Sequence, residues 1–150
     1  MMMQELDIRV VGDAAMPGLA SLYRFLHPQD PALAVVTARM TLRQAAAEPG
    51  GAVLVGFLGD APVTSCALIV VPSGARAGRP SALIENIVTH PAQRRRGYGT
   101  LVLRAALALA WEGGCFRATV LTTSLDEAPS AFFLGSGFER TANGFRLRRA

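Results

Sequence analysis

Apolar and polar residues alternate with period two over Leu6-Asp7-Ile8-Arg9-Val10, which predicts a first strand with one buried face. The period then lengthens. From Ala14 to His27, Met16, Leu19, Leu22, Tyr23 and Leu26 recur at helical spacing, so a helix with one face on a sheet is expected, capped by Asp13 and stopped at Pro28-Gln29-Asp30-Pro31. A second amphipathic segment, Ala32 to Ala47, ends at Glu48-Pro49-Gly50-Gly51, a double turn signal.

A strand pattern returns in Val53, Leu54, Val55, Phe57 and Leu58, followed by Gly59-Asp60 and a run from Val63 to Val71, which together predict an antiparallel hairpin. Pro72 to Pro80 reads as a surface loop leading into a strand at Leu83–Thr89, which Pro91 stops. Tyr98 to Glu112 is a helix apolar almost all round and closed by Gly113-Gly114, so it is expected to be buried against the sheet. Cys115 to Thr122 is the next strand; linked to Leu83–Thr89 through a helix, it should run parallel to it in a right-handed βαβ unit. A short helix, Glu127 to Leu134, precedes a closing hairpin, Phe138–Thr141 and Phe145–Arg149, turned at Ala142-Asn143-Gly144. The pattern describes an α/β fold with a mixed, mostly antiparallel sheet, helices on both faces and a central βαβ unit.

Length narrows this to one domain spanning residues 1–150, able to bury a core without metal or disulfide staples. All fifteen basic residues are arginines, set against eleven acidic ones for a net charge of +4. That balance suits a polyanionic ligand and, by itself, nucleic acid equally. Cys66 and Cys115 sit in apolar runs without metal-ligand spacing, and are expected reduced and buried, with no metal. No basic and apolar leader opens the chain and no window has the length and apolarity of a membrane span; a cytoplasmic protein without a membrane partner is expected.

The candidate chemistry lies between Leu83 and Thr100. Here a β-branched strand, Thr89-His90-Pro91, the triplet Arg94-Arg95-Arg96 and the pair Gly97 and Gly99 open a long helix. Free N–H groups and the positive end of the helix dipole converge there, glycines allow positive φ and close approach, and arginines offer forked donors. The expected ligand carries a pyrophosphate. A Walker loop would need a lysine, and the chain has none; a dinucleotide fingerprint would need glycine where Val102 stands.

The remaining pattern, Arg94-x-x-Gly97-x-Gly99 after a strand ending in Thr89-His90-Pro91, resembles the acetyl-CoA signature of the GNAT superfamily of N-acetyltransferases. Ile84-Glu85-Asn86-Ile87-Val88 resembles the preceding strand in amine N-acetyltransferases, including the glucosamine-phosphate type. Ala131-Phe132-Phe133-Leu134-Gly135-Ser136-Gly137-Phe138 is similar to the family's closing helix and strand. The resemblance covers roughly the second half of the chain.

It implies acetyl-CoA as co-substrate. The backbone of Ile87, Val88 and Thr89 would pair with the pantetheine arm, one N–H polarising the acetyl carbonyl. Arg94, Arg95, Arg96, Gly97, Tyr98, Gly99 and Thr100 would hold the pyrophosphate, chiefly through main-chain N–H groups, with at least one arginine simply solvated. Glu85, among apolar neighbours, should lose hydration and gain basicity, as a base for an ammonium requires; a charge on a half-exposed strand face is the plainer alternative. Asn86 points away from Glu85 unless a bulge interrupts the strand, as in the family. Tyr23 and His27 lie where the family builds its acceptor pocket, although core spacing and the helix dipole account for them as well. His90 is expected to face solvent. Phe133 stands where resembling enzymes have a tyrosine proposed to protonate the leaving thiolate, and Ser130, one turn earlier, shares its side of the helix.

Three functions follow. The first is an N-acetyltransferase acting on a primary amine of a small acceptor by direct attack in a ternary complex, with a homodimer as the family-based expectation. The second is a catalytically weak acyl-CoA-binding regulatory module, raised by the phenylalanine at 133. The third, a nucleic-acid binder, comes last, because the basic residues form one loop and not a face with interleaved aromatics; no nucleic-acid partner is expected.

Overall fold

The computed structural model describes residues 4–11, 16–26, 28–29, 37, 40–41, 43–44, 47, 49–121, 127–141 and 144–149. Its first unit, residues 1–119, is built on a sheet in which β1 (Asp7–Val10), β2 (Ala52–Leu58), β3 (Ala61–Val71), β4 (Ser81–Thr89) and β5 (Ala118–Val120) neighbour one another in chain order. The first three pairings are antiparallel. Between the last two, Phe116 N–H donates to Pro80 O at 3.0 Å and Ala82 N–H to Arg117 O at 2.9 Å; the two bonds advance in the same sense along both segments, as in a parallel pair.

Among the described residues, two helices lie against the sheet. α1 (Met16–Tyr23) lies against β3 and β4, and α2 (Tyr98–Glu112) against β2, β3 and β4. Leu19 of α1 packs with Val53, Val55 and Phe57, the odd positions of β2. Leu54 instead pairs with Cys66, whose thiol donates to Val102 O of α2 at 3.7 Å. Successive strand residues point to opposite faces, so α1 and α2 sit on opposite faces. The core between them is fully closed at Leu19, Leu22, Val55, Ile84, Val102 and Leu103.

Local chemistry explains the element ends. The β2–β3 hairpin turns on two residues, Gly59 at φ 61° followed by Asp60 without a positive φ, the pattern of a II′ turn that needs glycine first. α2 ends in a Schellman motif: Cys115 N–H reaches Ala110 O and Gly114 N–H reaches Trp111 O, both at 3.0 Å, with Gly114 at φ 81°.

Several elements depart from the sequence pattern. The first helix stops at Tyr23, and Arg24 to Leu26 form a turn. α2 is apolar around most of its circumference yet leaves Leu101 and Trp111 exposed, because a helix resting on one sheet face cannot bury its far side. β5 has three residues, Ala118–Val120, not the expected eight from Cys115; ahead of it, Phe116 N–H donates to Pro80 O and Arg117 O accepts from Ala82 N–H. Thr37, Met40, Thr41, Arg43, Gln44 and Ala47 have helical backbone within the expected second helix. The expected cap Asp13 and Asn143 of the closing turn lie outside the described residues. Among the described residues no helix is long and apolar enough to cross a membrane.

The second unit, residues 120–150, contains α3 (Glu127–Gly135). It too ends in a Schellman motif, with Phe138 N–H on Phe133 O at 3.1 Å, Gly137 N–H on Leu134 O at 3.2 Å and Gly137 at φ 94°. The rings of Phe133 and Phe138 meet edge-on at 5.9 Å, which is the apolar contact that accompanies this cap. The expected closing hairpin is not formed: the described residues from Phe138 to Thr141 and from Gly144 to Arg149 are in no strand. Phe145 and Leu147 are 99% and 97% exposed, so the alternation of apolar and basic residues there has no apolar surface to bury against, and a lone hairpin is marginal in water.

Candidate active site

β4 departs from regular pairing at the residues singled out in the sequence. Ser65 faces Val88 and Ala67 faces Glu85, so two residues, Asn86 and Ile87, stand opposite Cys66 alone. This is a β-bulge in β4, and Asn86 takes φ 53°, a left-handed conformation that asparagine tolerates better than most residues. Paired residues share a face. The bulge therefore turns Glu85 and Val88 to the α1 side and leaves Ile84 and Thr89 on the α2 side.

Glu85 and Asn86 are exposed, Ile87 and Thr89 half-buried and Val88 buried. The expectation that apolar neighbours strip Glu85 of water is corrected here, since its carboxylate reaches solvent beside the bulge. Tyr23 and Ala67 pack against the core cluster of Val11, Leu19, Val53, Val55 and Phe57. Burial is the main cause that pushes the Tyr23 phenol up to about 12, and the Ser65 hydroxyl is close enough to favour its charged form in part. Tyr23, Ser65, Ala67 and Glu85 thus belong to one face. His27 lies outside the described residues. His90 is half-buried and meets Phe25 edge-on at 5.0 Å, so it does not simply face solvent.

Two buried hydroxyl residues that sequence pattern alone passed over flank the bulge on β3, one bonded to β4 and the other to β2. Thr64 and Ser65 are both 0% exposed. Thr64 Oγ1 donates to Val88 O at 3.0 Å and shares a 2.9 Å hydrogen bond with Thr89 Oγ1, while Ser65 Oγ donates to Leu54 O at 2.9 Å. Their signal was weak, because small hydroxyl residues inside an apolar strand carry no motif of their own. Beyond the bulge, β4 has nine residues and β5 three, so β5 can pair with only part of β4's outer edge.

The chain then turns into the glycine loop. His90 Nδ1 accepts from Ala92 N–H at 3.1 Å, Gln93 N–H bonds His90 O at 2.8 Å, and Arg94 Nε donates back to Thr89 O at 3.2 Å. Arg94 is thereby a strap between strand end and loop. Arg95 takes φ 63° and Gly97 φ 83° as N-cap of α2. The helical ladder begins with Leu101 N–H on Gly97 O at 3.1 Å, which leaves the N–H groups of Tyr98, Gly99 and Thr100 without a helical acceptor. Arg95 and Arg96 are exposed, and Tyr98 is buried beneath the turn. A Cβ on Gly97 would meet nothing within 4 Å, so the surface above it is open to a ligand. Gln93 Oε1, a residue the motif left unassigned, is buried without a partner among the described residues.

The arrangement is an anion cradle at the head of a fifteen-residue helix, adjoining the bulged end of β4. The acetyltransferase (GNAT) family model matches residues 19–138. The chain belongs to the GNAT acetyltransferase family. A structure of a candidate acetyltransferase from Agrobacterium tumefaciens strain C58 is similar to it at 38% identity and TM-score 0.91, over 95% of this chain and 99% of that one. Two more distant structures share the fold: glucosamine-6-phosphate N-acetyltransferase from Arabidopsis thaliana, at 12% identity and TM-score 0.85 over 96% and 98%, and the aminoglycoside N-acetyltransferase AAC(6')-Iy in complex with CoA, at 16% and 0.84 over 99% and 97%. Comparison with curated proteins returns no match. For this acetyltransferase, Ser130 and Phe133 are half-buried on α3, Phe133 edge-on to Phe132 at 5.1 Å as well as to Phe138.

Proposed function

We propose that this acetyltransferase, acting as one domain over residues 1–150, moves the acetyl group of acetyl-CoA to a primary amine of a small acceptor by direct attack. The observation that carries the reading is the glycine loop: a left-handed Gly97 capping α2 with three consecutive free N–H groups, set at the end of a bulged strand. The pyrophosphate of CoA suits that cradle. The pantetheine amides suit the outer edge of β4 around Ile87, Val88 and Thr89, where sheet pairing runs out.

The amine nitrogen attacks the thioester carbonyl carbon, the carbonyl oxygen takes the negative charge beside a β4 N–H, and collapse expels the CoA thiolate. Glu85 receives the amine proton, directly or through water, and the thiolate takes a proton from solvent. A covalent intermediate on cysteine is disfavoured by the thiols themselves: Cys66 is buried and pushed up to about 12, and burial also raises Cys115, whereas a nucleophilic cysteine needs a depressed value. The acceptor enters on the α1 side with Tyr23 in its wall. The fold shared with enzymes named for glucosamine 6-phosphate and aminoglycosides supports an amino-sugar-like amine as the first class to try.

A panel of amines assayed with acetyl-CoA by free-thiol release tests this, with CoA affinity measured beside it. Turnover of at least one amine is expected, and Glu85→Gln should lower kcat by roughly 10²–10⁴, the range of general acid–base catalysis, with CoA affinity unchanged. CoA binding with no amine acetylated would replace the enzyme by an acyl-CoA-binding module.

A further inference from the structure

At the other end of β4 the chain gathers three arginines around one ring. The loop before β4 is left-handed at three consecutive residues, Arg76 at φ 55°, Ala77 at φ 59° and Gly78 at φ 74°. It is closed by Gly78 N–H on Ala75 O at 3.0 Å and Arg79 N–H on Arg76 O at 3.2 Å. Hydrogen bonds from Phe116 to Pro80 and from Ala82 to Arg117 fasten it to the segment entering β5. As a result the guanidinium carbons of Arg76, Arg79 and Arg117 lie 5.6, 5.2 and 5.1 Å from the centroid of Phe116.

All three charges sit within 5.6 Å of one ring centroid, so no two can be farther apart than roughly 11 Å, comparable to the screening length of about 10 Å at 0.1 M salt. They repel, and the ring's negative face offsets only part of that. Among the described residues none of the three pairs with a carboxylate. Arg79 Nε donates to Arg76 O at 3.0 Å, so its guanidinium is already held by the loop.

We propose that Arg76, Arg79 and Arg117 on Phe116 form a second anion site that takes a compact, multiply charged oxyanion of the phosphate class. Guanidinium forks match its oxygens in pairs, its charge removes the mutual repulsion, and a fastened loop lowers the ordering cost of binding. A nucleic-acid strand fits less well, since base stacking needs a row of open aromatic platforms and here one ring is engaged by arginines. β4 separates the two sites: its nine residues span roughly 26 Å at about 3.3 Å per residue, so this ligand is distinct from the one at the glycine loop.

Calorimetric titration of sodium pyrophosphate and of inorganic phosphate, at ionic strength matched with chloride, tests it. Saturating CoA occupies the glycine loop, and the Gly97→Val variant repeats the measurement without relying on CoA. Pyrophosphate is expected to bind, with at least a tenfold loss in Arg79→Gln/Arg117→Gln and in the separate variant Arg76→Gly, which also relieves the left-handed strain. Acetyl transfer should stay unchanged in both, and the thermal midpoint should not fall, since one variant removes repulsion and the other removes backbone strain. No pyrophosphate binding by the natural protein, or binding indifferent to both variants, overturns the proposal. So does a short single-stranded oligonucleotide that binds more tightly than pyrophosphate and is lost in the same variants, which would make the cluster a nucleic-acid contact.

Discussion

At the scale of single residues, Gly97 and Arg95 present the same backbone problem with different means. Both have positive φ, but only glycine reaches it without Cβ strain. Gly97→Val should therefore weaken CoA binding more than Arg95→Ala, because a β-branched residue opposes the left-handed cap and occupies the open surface, whereas an exposed arginine contributes through screened charge. Calorimetry on the two variants decides it; near-normal CoA affinity in Gly97→Val would remove the loop as the pyrophosphate site. Phe133 carries a second residue-scale expectation. Its ring completes the α3 cap, and a CoA thiolate with a pKa near that of cysteine, about 8.5, leaves without much help from an acid. Phe133→Tyr should then change kcat by less than about tenfold, roughly 1.4 kcal/mol of barrier. A rise of several hundredfold in steady-state kinetics would show that the natural chain lacks an essential acid.

Among the elements, β4 is the one whose irregularity matters. Its bulge is defined by pairing to β3 and held by the Thr64 and Thr89 hydroxyls, and its left-handed residue is Asn86. Asn86→Val should cost about 1–3 kcal/mol of unfolding free energy, the scale of a strained non-glycine backbone, while Asn86→Gly should be neutral or stabilising. Urea unfolding of both variants is the measurement, and equal midpoints would mean that the positive φ is not kept in solution. The motif in this strand was legible from residue types, and so was the helix from Tyr98 to Glu112, which the structure reproduces at both ends. The bulge was raised only by the family resemblance and not by the residues of β4, because register is a property of two strands and β4 alone carries no mark of which residue β3 will skip. The exposure of Glu85 follows from that same register, and apolar sequence neighbours could not reveal it.

On the scale of the whole molecule, burial couples stability to pH. Cys66 is raised from 9.0 to about 12 and Tyr23 from 10.0 to about 12, both chiefly by burial. Each folded value lies above the unfolded one, so their contribution is complete below about pH 9 and is lost as pH rises from there through about 12. Unfolding midpoints should fall across that window, and less steeply in Tyr23→Phe/Cys66→Ala; an identical slope in that variant would place the alkaline transition elsewhere. Sequence alone determined what depends on local spacing: most strands and helices, the glycine-capped helix terminus, and the family those motifs belong to. Only the tertiary structure decided the bulge, the side of the sheet that Glu85 faces, the gathering of three arginines on Phe116 and the absence of a closing hairpin among the described residues. Each of these turns on contacts made, or for the hairpin not made, with segments distant in the chain, whose free energy exists only once the sheet has set which residues meet.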